Sequence, residues 1–156
     1  MKALLAIWQG FNRLCARIPD DLLLLLNRIA IASVFWRSAQ SKISGWEFLE
    51  QSWQFFNVSQ SAILLFRFEY DLPLLAPKVA AYCGTAAEFF FSLLLVLGLG
   101  TRFAASGLLV MTCVIQFLVY PDAWPVHILW FAILCYLLKN GAGTISLDRL
   151  LRRQAT

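Results

Sequence analysis

The stretch 79-VAAYCGTAAEFFFSLLLVL-97 decides the fold. It carries a single charge, Glu88. As a helix rising 1.5 Å per residue it would extend roughly 28 Å, close to the thickness of a bilayer's hydrocarbon core. It therefore reads as a membrane crossing over 79–98. Downstream, Gly98-Leu99-Gly100-Thr101-Arg102 is a tight turn, and residues 103–120 form a second crossing without any charge. Pro121-Asp122-Ala123-Trp124-Pro125 turns the chain again into a short crossing at 124–139, with Lys139 able to snorkel at its far end. Upstream, residues 22–40 form one more crossing, which hydropathy alone ranks low because it holds Asn27 and Arg28.

The whole chain agrees with that core. Of its 156 residues 60% are apolar and 14% charged, and the mean hydropathy is +0.70. Soluble domains average roughly 45–50% apolar and 25% charged residues. A soluble enzyme, a disordered chain and a nucleic-acid-binding domain all need more polar surface than this. The expected fold is all-α, a polytopic membrane four-helix bundle in one domain spanning 1–156. The apolar run at 3–8 is too short for a signal peptide, so the chain is expected to insert through its own crossings.

Three segments flank the crossings. Residues 1–18 place Leu4, Ile7, Trp8, Phe11 and Leu14 on one helical face and Lys2, Arg13 and Arg17 on the other. That pattern suits a helix lying in the membrane interface, or one packed on the inner surface of the bundle. Residues 41–76 are a long connection in which Trp46, Leu49, Trp53 and Phe56 recur at helical period, predicting an amphipathic helix, with Ser61–Phe68 continuing it. Residues 144–156 form a tail in which Ser146 caps a short helix.

Lysines and arginines set the orientation. Lys2, Arg13, Arg17, Arg102, Lys139, Arg149, Arg152 and Arg153 fall on one side, and Arg37, Lys42, Arg67 and Lys78 on the other. By the positive-inside rule both termini are expected in the cytoplasm, with 41–76 outside.

Two charges are left inside the bilayer, Arg28 and Glu88. Each costs about 2.5–3.5 kcal/mol near a helix centre on the insertion scale. Counted along their helices, Arg28 lies roughly 9 Å in from Leu22 and Glu88 roughly 15 Å in from Gly98, a difference a long arginine bridges. They are expected to pair, either as the wall of a ligand-binding polar cavity or as a structural ion pair fixing helix register. Asn27, Tyr82 and Thr85 join this core, with ordinary interhelical hydrogen bonding as the plainer role. Lys42, Glu69, Asp71 and His127 form a candidate outer mouth, against the alternative of plain solvated charge. The four cysteines form no CxxC pair and no metal-ligand spacing, so no metal site is expected; a redox role for Cys83 and Cys113 is left open. No residue is assigned a catalytic role.

The order of several short motifs over about residues 22–151 resembles the DoxX family of four-helix bacterial inner-membrane proteins. Their carriers are Arg28, Ser41-Lys42, the stretch Phe66-Arg67-Phe68-Glu69-Tyr70-Asp71-Leu72-Pro73, the run Ala81–Glu88, the turn Gly98-Leu99-Gly100-Thr101-Arg102 and Ser146-Leu147-Asp148. The chain departs from the family pattern in lacking a glycine just before Lys42 and in placing Phe89-Phe90-Phe91 after Glu88, which would narrow a pocket there. The resemblance implies the fold and an association with thiosulfate:quinone oxidoreductase subunits, oxidative-stress proteins or metal-stress systems. The expectation is an accessory or anchor component of a redox or stress-response system, built round an Arg28–Glu88 core. A quinone-linked oxidoreductase, with quinone as cofactor, and a small-solute permease working as an oligomer are the rival functions. Expected partners are the lipid bilayer and either another protein or a second copy of the chain, and no nucleic acid.

Overall fold

The computed structural model describes residues 1–154, so residues 155 and 156 of the expected tail lie outside the described residues. Four helices are long and apolar enough to cross a membrane. They are α2 (Asp20–Gln40), α4 (Pro77–Leu97), α5 (Thr101–Val114) with its π-helical extension Ile115–Val119, and α6 (Trp124–Asn140). A short α1 (Lys2–Cys15) precedes them, α3 (Gln60–Leu65) lies in the long connection, and α7 (Leu147–Gln154) ends the described chain. The protein is an all-α four-helix membrane protein.

Local chemistry sets the helix limits. Pro77 opens α4, where its missing N–H costs nothing, and Gly98 closes it in the left-handed region at φ +66°. Leu99 N then donates to Leu94 O at 2.9 Å, the capping bond such a terminus uses. The four spanning helices pack in the ring order α2, α4, α5, α6. Their seam holds Ile31, Phe35, Leu95, Leu108 and Leu134, and the small Ala104 and Ala105 let α5 approach its neighbours closely. Phe103, Val110, Phe117 and Leu129 point outward and are largely exposed, as the lipid-facing side of such a bundle requires.

The connection differs from expectation between Trp46 and Phe56. It is a β-hairpin, with β1 (Glu47–Phe48) antiparallel to β2 (Gln51–Ser52), and no amphipathic helix. Leu49 and Glu50 at its tip both have positive φ, 53° and 58°, the geometry of a two-residue hairpin turn. The apolar positions fit a helical period, but Trp46 and Phe48 also alternate. Their rings stack at 6.1 Å on one side of the ribbon. Tertiary partners decide between the two patterns. Gln40 reads the strand edge with both ends of its amide, to Ser52 O at 3.1 Å and from Ser52 N at 2.8 Å. Trp36 Nε1 donates to Gln51 Oε1 at 2.7 Å. The hairpin thus closes over the end of α2, where a helix could offer no free backbone edge. The expected continuation at Ser61–Phe68 is present as α3, capped by Ser59 and running into the π-helical turn Phe66–Tyr70.

Helix α1 has its apolar residues Leu4, Ile7, Trp8, Phe11 and Leu14 all more than half exposed. Packing of that face on the bundle is therefore ruled out. Helix α7 forms as expected, with Arg149 N donating to Ser146 Oγ at 3.4 Å.

Candidate functional site

The last turn of α2 and the middle of α4 meet at a buried ion pair. Lys42 follows the C-terminus of α2 and folds its side chain back into the bundle. Its Nζ lies 2.9 Å from Glu88 Oε2 and 3.1 Å from Oε1. It also donates to Ser38 Oγ at 2.6 Å and Ser38 O at 3.1 Å. Ser38 Oγ in turn reaches Glu88 Oε1 at 3.0 Å. Lys42 is 3% and Glu88 5% exposed. The ammonium has three protons, and these contacts use them all. The Ser38 carbonyl, which also accepts from Ser41 Oγ at 2.8 Å, sits at the negative end of α2, which further favours a cation there.

This geometry corrects the expected Arg28–Glu88 pair. Arg28 donates to Leu95 O at 3.4 Å and to Ile145 O. It is level with the C-terminal end of α4, whereas Glu88 lies seven residues further up that helix, roughly 10 Å away. The two helices are not level: α4 overhangs α2 on the hairpin side, so equal counts from their other ends reach different depths. Arg28 instead ties α2, the end of α4 and the approach to α7 together, in the field of Asp148. Gly98 makes room for it: a Cβ there would lie 1.9 Å from Arg28 Nη1.

The other expected core residues disperse. Asn27 bonds Leu23 O of its own helix at 2.8 Å. Tyr82 is 36% exposed on the lipid side, and Thr85 is fully buried with no hydrogen-bond partner for its hydroxyl among the described residues. The expected outer mouth also separates. Lys42 is inside, Asp71 ends the π-helical turn, and His127 is buried on α6 with Nδ1 2.8 Å from Gln116 Oε1. Cys83 and Cys113 line different cavities and are free thiols. No group of three or more His, Cys, Asp or Glu residues placed to hold a metal occurs among the described residues.

Glu88 has a second environment. It lines a cavity of about 250 Å³ between the π-helical turn, α4 and α5, otherwise walled by apolar residues such as Leu72, Val110 and Met111, with Tyr70 at its edge. Both π-helical turns, Phe66–Tyr70 and Ile115–Val119, contribute to its walls. Such turns open the helix surface by one residue and recur at functional sites. Sequence reasoning missed Ser38 and Tyr70. The i, i+4 spacing of Ser38 and Lys42 at a helix end is the signal that finds the first. The π-helical turn that aims Tyr70 has no such signature.

Above the cavity the Tyr120 phenol donates to the Glu69 carboxylate, and the Tyr70 and Tyr120 rings meet edge to face at 5.8 Å. Burial, then the hydrogen bond to Glu69, holds the Tyr120 hydroxyl well above the usual phenol range. Burial and the nearby Glu88 charge push Tyr70 in the same direction. A group with a raised folded-state pKa adds stability below its unfolded pKa, about 10 for tyrosine, and loses it as pH climbs beyond. Thermal unfolding in detergent is expected to weaken above pH 10, with a shallower decline in Tyr120→Phe. Equal slopes in both proteins would contradict the assignment.

The geometry can be set beside known proteins. The DoxX family profile matches residues 23–121. This chain belongs to the DoxX family. The match spans Arg28, Ser38, Lys42, Tyr70, Glu88 and Tyr120, so the whole site lies inside the DoxX region, while the Ser146-Leu147-Asp148 motif lies beyond it. A curated relative from Haemophilus influenzae is 26% identical over 144 residues, covering 87% of each chain, and is described only as an uncharacterized protein. No solved structure is a significant match.

Proposed function

We propose that this DoxX-family protein is a bacterial inner-membrane accessory component of a redox or stress-response system. In it the Lys42–Glu88 pair presents a polar group to a cavity that takes the head of a quinone-like amphiphile. The observation that carries this is the double position of Glu88, buried against Lys42 on one side and lining a lipid-level apolar cavity on the other. A cavity of about 250 Å³ accommodates a single substituted ring. The carboxylate supplies a polar group for the ring end of the amphiphile, and Tyr70 lines the same edge. Ligand sites of this kind are mostly apolar with a few placed polar groups. The excess of lysine and arginine on the terminal face supports cytoplasmic termini.

In this reading the residues on the cavity walls bind and orient the ring, and the protein acts as a holder or partner for an amphiphile that another component oxidises or reduces. The test is titration of the detergent-solubilised protein with a short-chain ubiquinone analogue, followed by tryptophan fluorescence. Saturable binding is expected, weakened at least tenfold by Val110→Trp, which fills the cavity from the lipid side. Non-saturable partitioning, or equal binding by Val110→Trp, would overturn the proposal.

A further inference from the structure

The face that carries both termini holds a second, chemically different cleft. It is a space of about 490 Å³ between the turn at 98–102, residues 140–143 and the start of α7. Arg102, Arg149 and Arg152 line it, against one acid, Asp148. Asp148 is turned inward, accepting from Gly100 N at 2.8 Å and Thr101 N at 3.3 Å, where it caps α5. Arg102 is held across the cleft by donation to Lys139 O at 3.1 Å. Thr101 lines the same space, is fully buried, and its hydroxyl has no partner among the described residues.

We propose that this cleft seats the phosphate of an anionic phospholipid from the adjoining leaflet. Guanidinium groups match phosphate oxygens in geometry as well as charge, and three arginines lining one cleft suit a phosphate. Basic pockets between spanning helices at the membrane surface hold anionic headgroups for this reason. The cleft's own position selects a lipid as the source. It is built from the first turn of one spanning helix and the end of another, and Phe103 on its rim is 68% exposed toward the acyl region. Lys2 and Arg13 of α1, and Arg17 in the turn after it, lie on the same face and add to the attraction. The site is separate from the Glu88 cavity and independent of its proposed ligand.

Native mass spectrometry of the full-length protein tests it, with phosphatidylglycerol, phosphatidylcholine and inorganic phosphate added in turn. Phosphatidylglycerol is expected to bind at least tenfold more tightly than phosphatidylcholine. Arg149→Gln is expected to weaken that binding at least tenfold, and Arg67→Gln on the opposite face to leave it unchanged. Arg102→Gln is a second variant in the cleft, and Arg149→Gln decides the matter if that one fails to fold. Equal retention of the two lipids, unchanged binding in Arg149→Gln, or displacement of phosphatidylglycerol by millimolar inorganic phosphate would overturn the proposal.

Discussion

Glu88→Ala is expected to cost about 3–5 kcal/mol of stability, the usual result of leaving one member of a buried ion pair without its partner. Lys42→Ala is expected to cost about the same, because the carboxylate is then stranded with only Ser38 as a donor. The two losses do not add. With both charges gone, as in Lys42→Met with Glu88→Leu, the site is apolar and packed, and stability is expected to return to near that of the original protein or above it. Thermal unfolding of the four proteins in one detergent measures this. Additive losses would mean that the two side chains do not interact. The double variant also separates fold from function: it is expected to stay folded and to bind the quinone analogue at least tenfold more weakly. If it binds as well as the original, the cavity does not use Glu88.

Gly98→Ala is expected to destabilise by about 2–5 kcal/mol. A residue with a Cβ in the left-handed region costs roughly 1–2 kcal/mol, and forcing atoms into a packed site about 1–3 more. The clash is specific: the new Cβ would lie 1.9 Å from Arg28 Nη1 and 2.6 Å from Ser146 Cβ. Arg28 is 1% exposed and borders an open space of about 450 Å³, and a guanidinium pushed that way loses its bonds to Leu95 O and Ile145 O, which releases the tail bearing α7. Limited trypsin digestion is expected to cut faster at Arg149, Arg152 and Arg153. Gly100→Ala is the control. Its backbone is also left-handed, at φ +56°, but a Cβ there meets nothing within 4 Å, so only the smaller backbone cost is expected. Equal effects at the two glycines would show that the Arg28 clamp contributes little.

The crossings were legible because lipid imposes a strict rule: each must be about 20 apolar residues of helix, and the turns between them carry glycine, proline and charge. The family was legible for a related reason, since its motifs mark the turns between those crossings and the two charges inside them. The partner of Glu88 was not. Lysine has a long flexible stem, and at a helix end it can reach solvent or fold back inside. Only the offset between α2 and α4 decides which, and that offset is set by packing. Counting residues from the nearest turn puts Arg28 and Glu88 at depths that differ by only about 6 Å, within an arginine's reach, and leaves Lys42 in the outer mouth. The hairpin was hidden similarly, because a short aromatic-rich stretch satisfies both helical and alternating periods, and its partners Trp36 and Gln40 lie in another helix.

The central claim is that Lys42 is the buried partner of Glu88. The most direct measurement is a solid-state NMR correlation between lysine ¹⁵Nζ and glutamate ¹³Cδ in the protein reconstituted in lipid bilayers. A strong close-range cross-peak is predicted, absent in both Lys42→Met and Glu88→Gln. A missing lysine–glutamate peak, or a Glu88 side chain correlated with the Arg28 guanidinium, would contradict it.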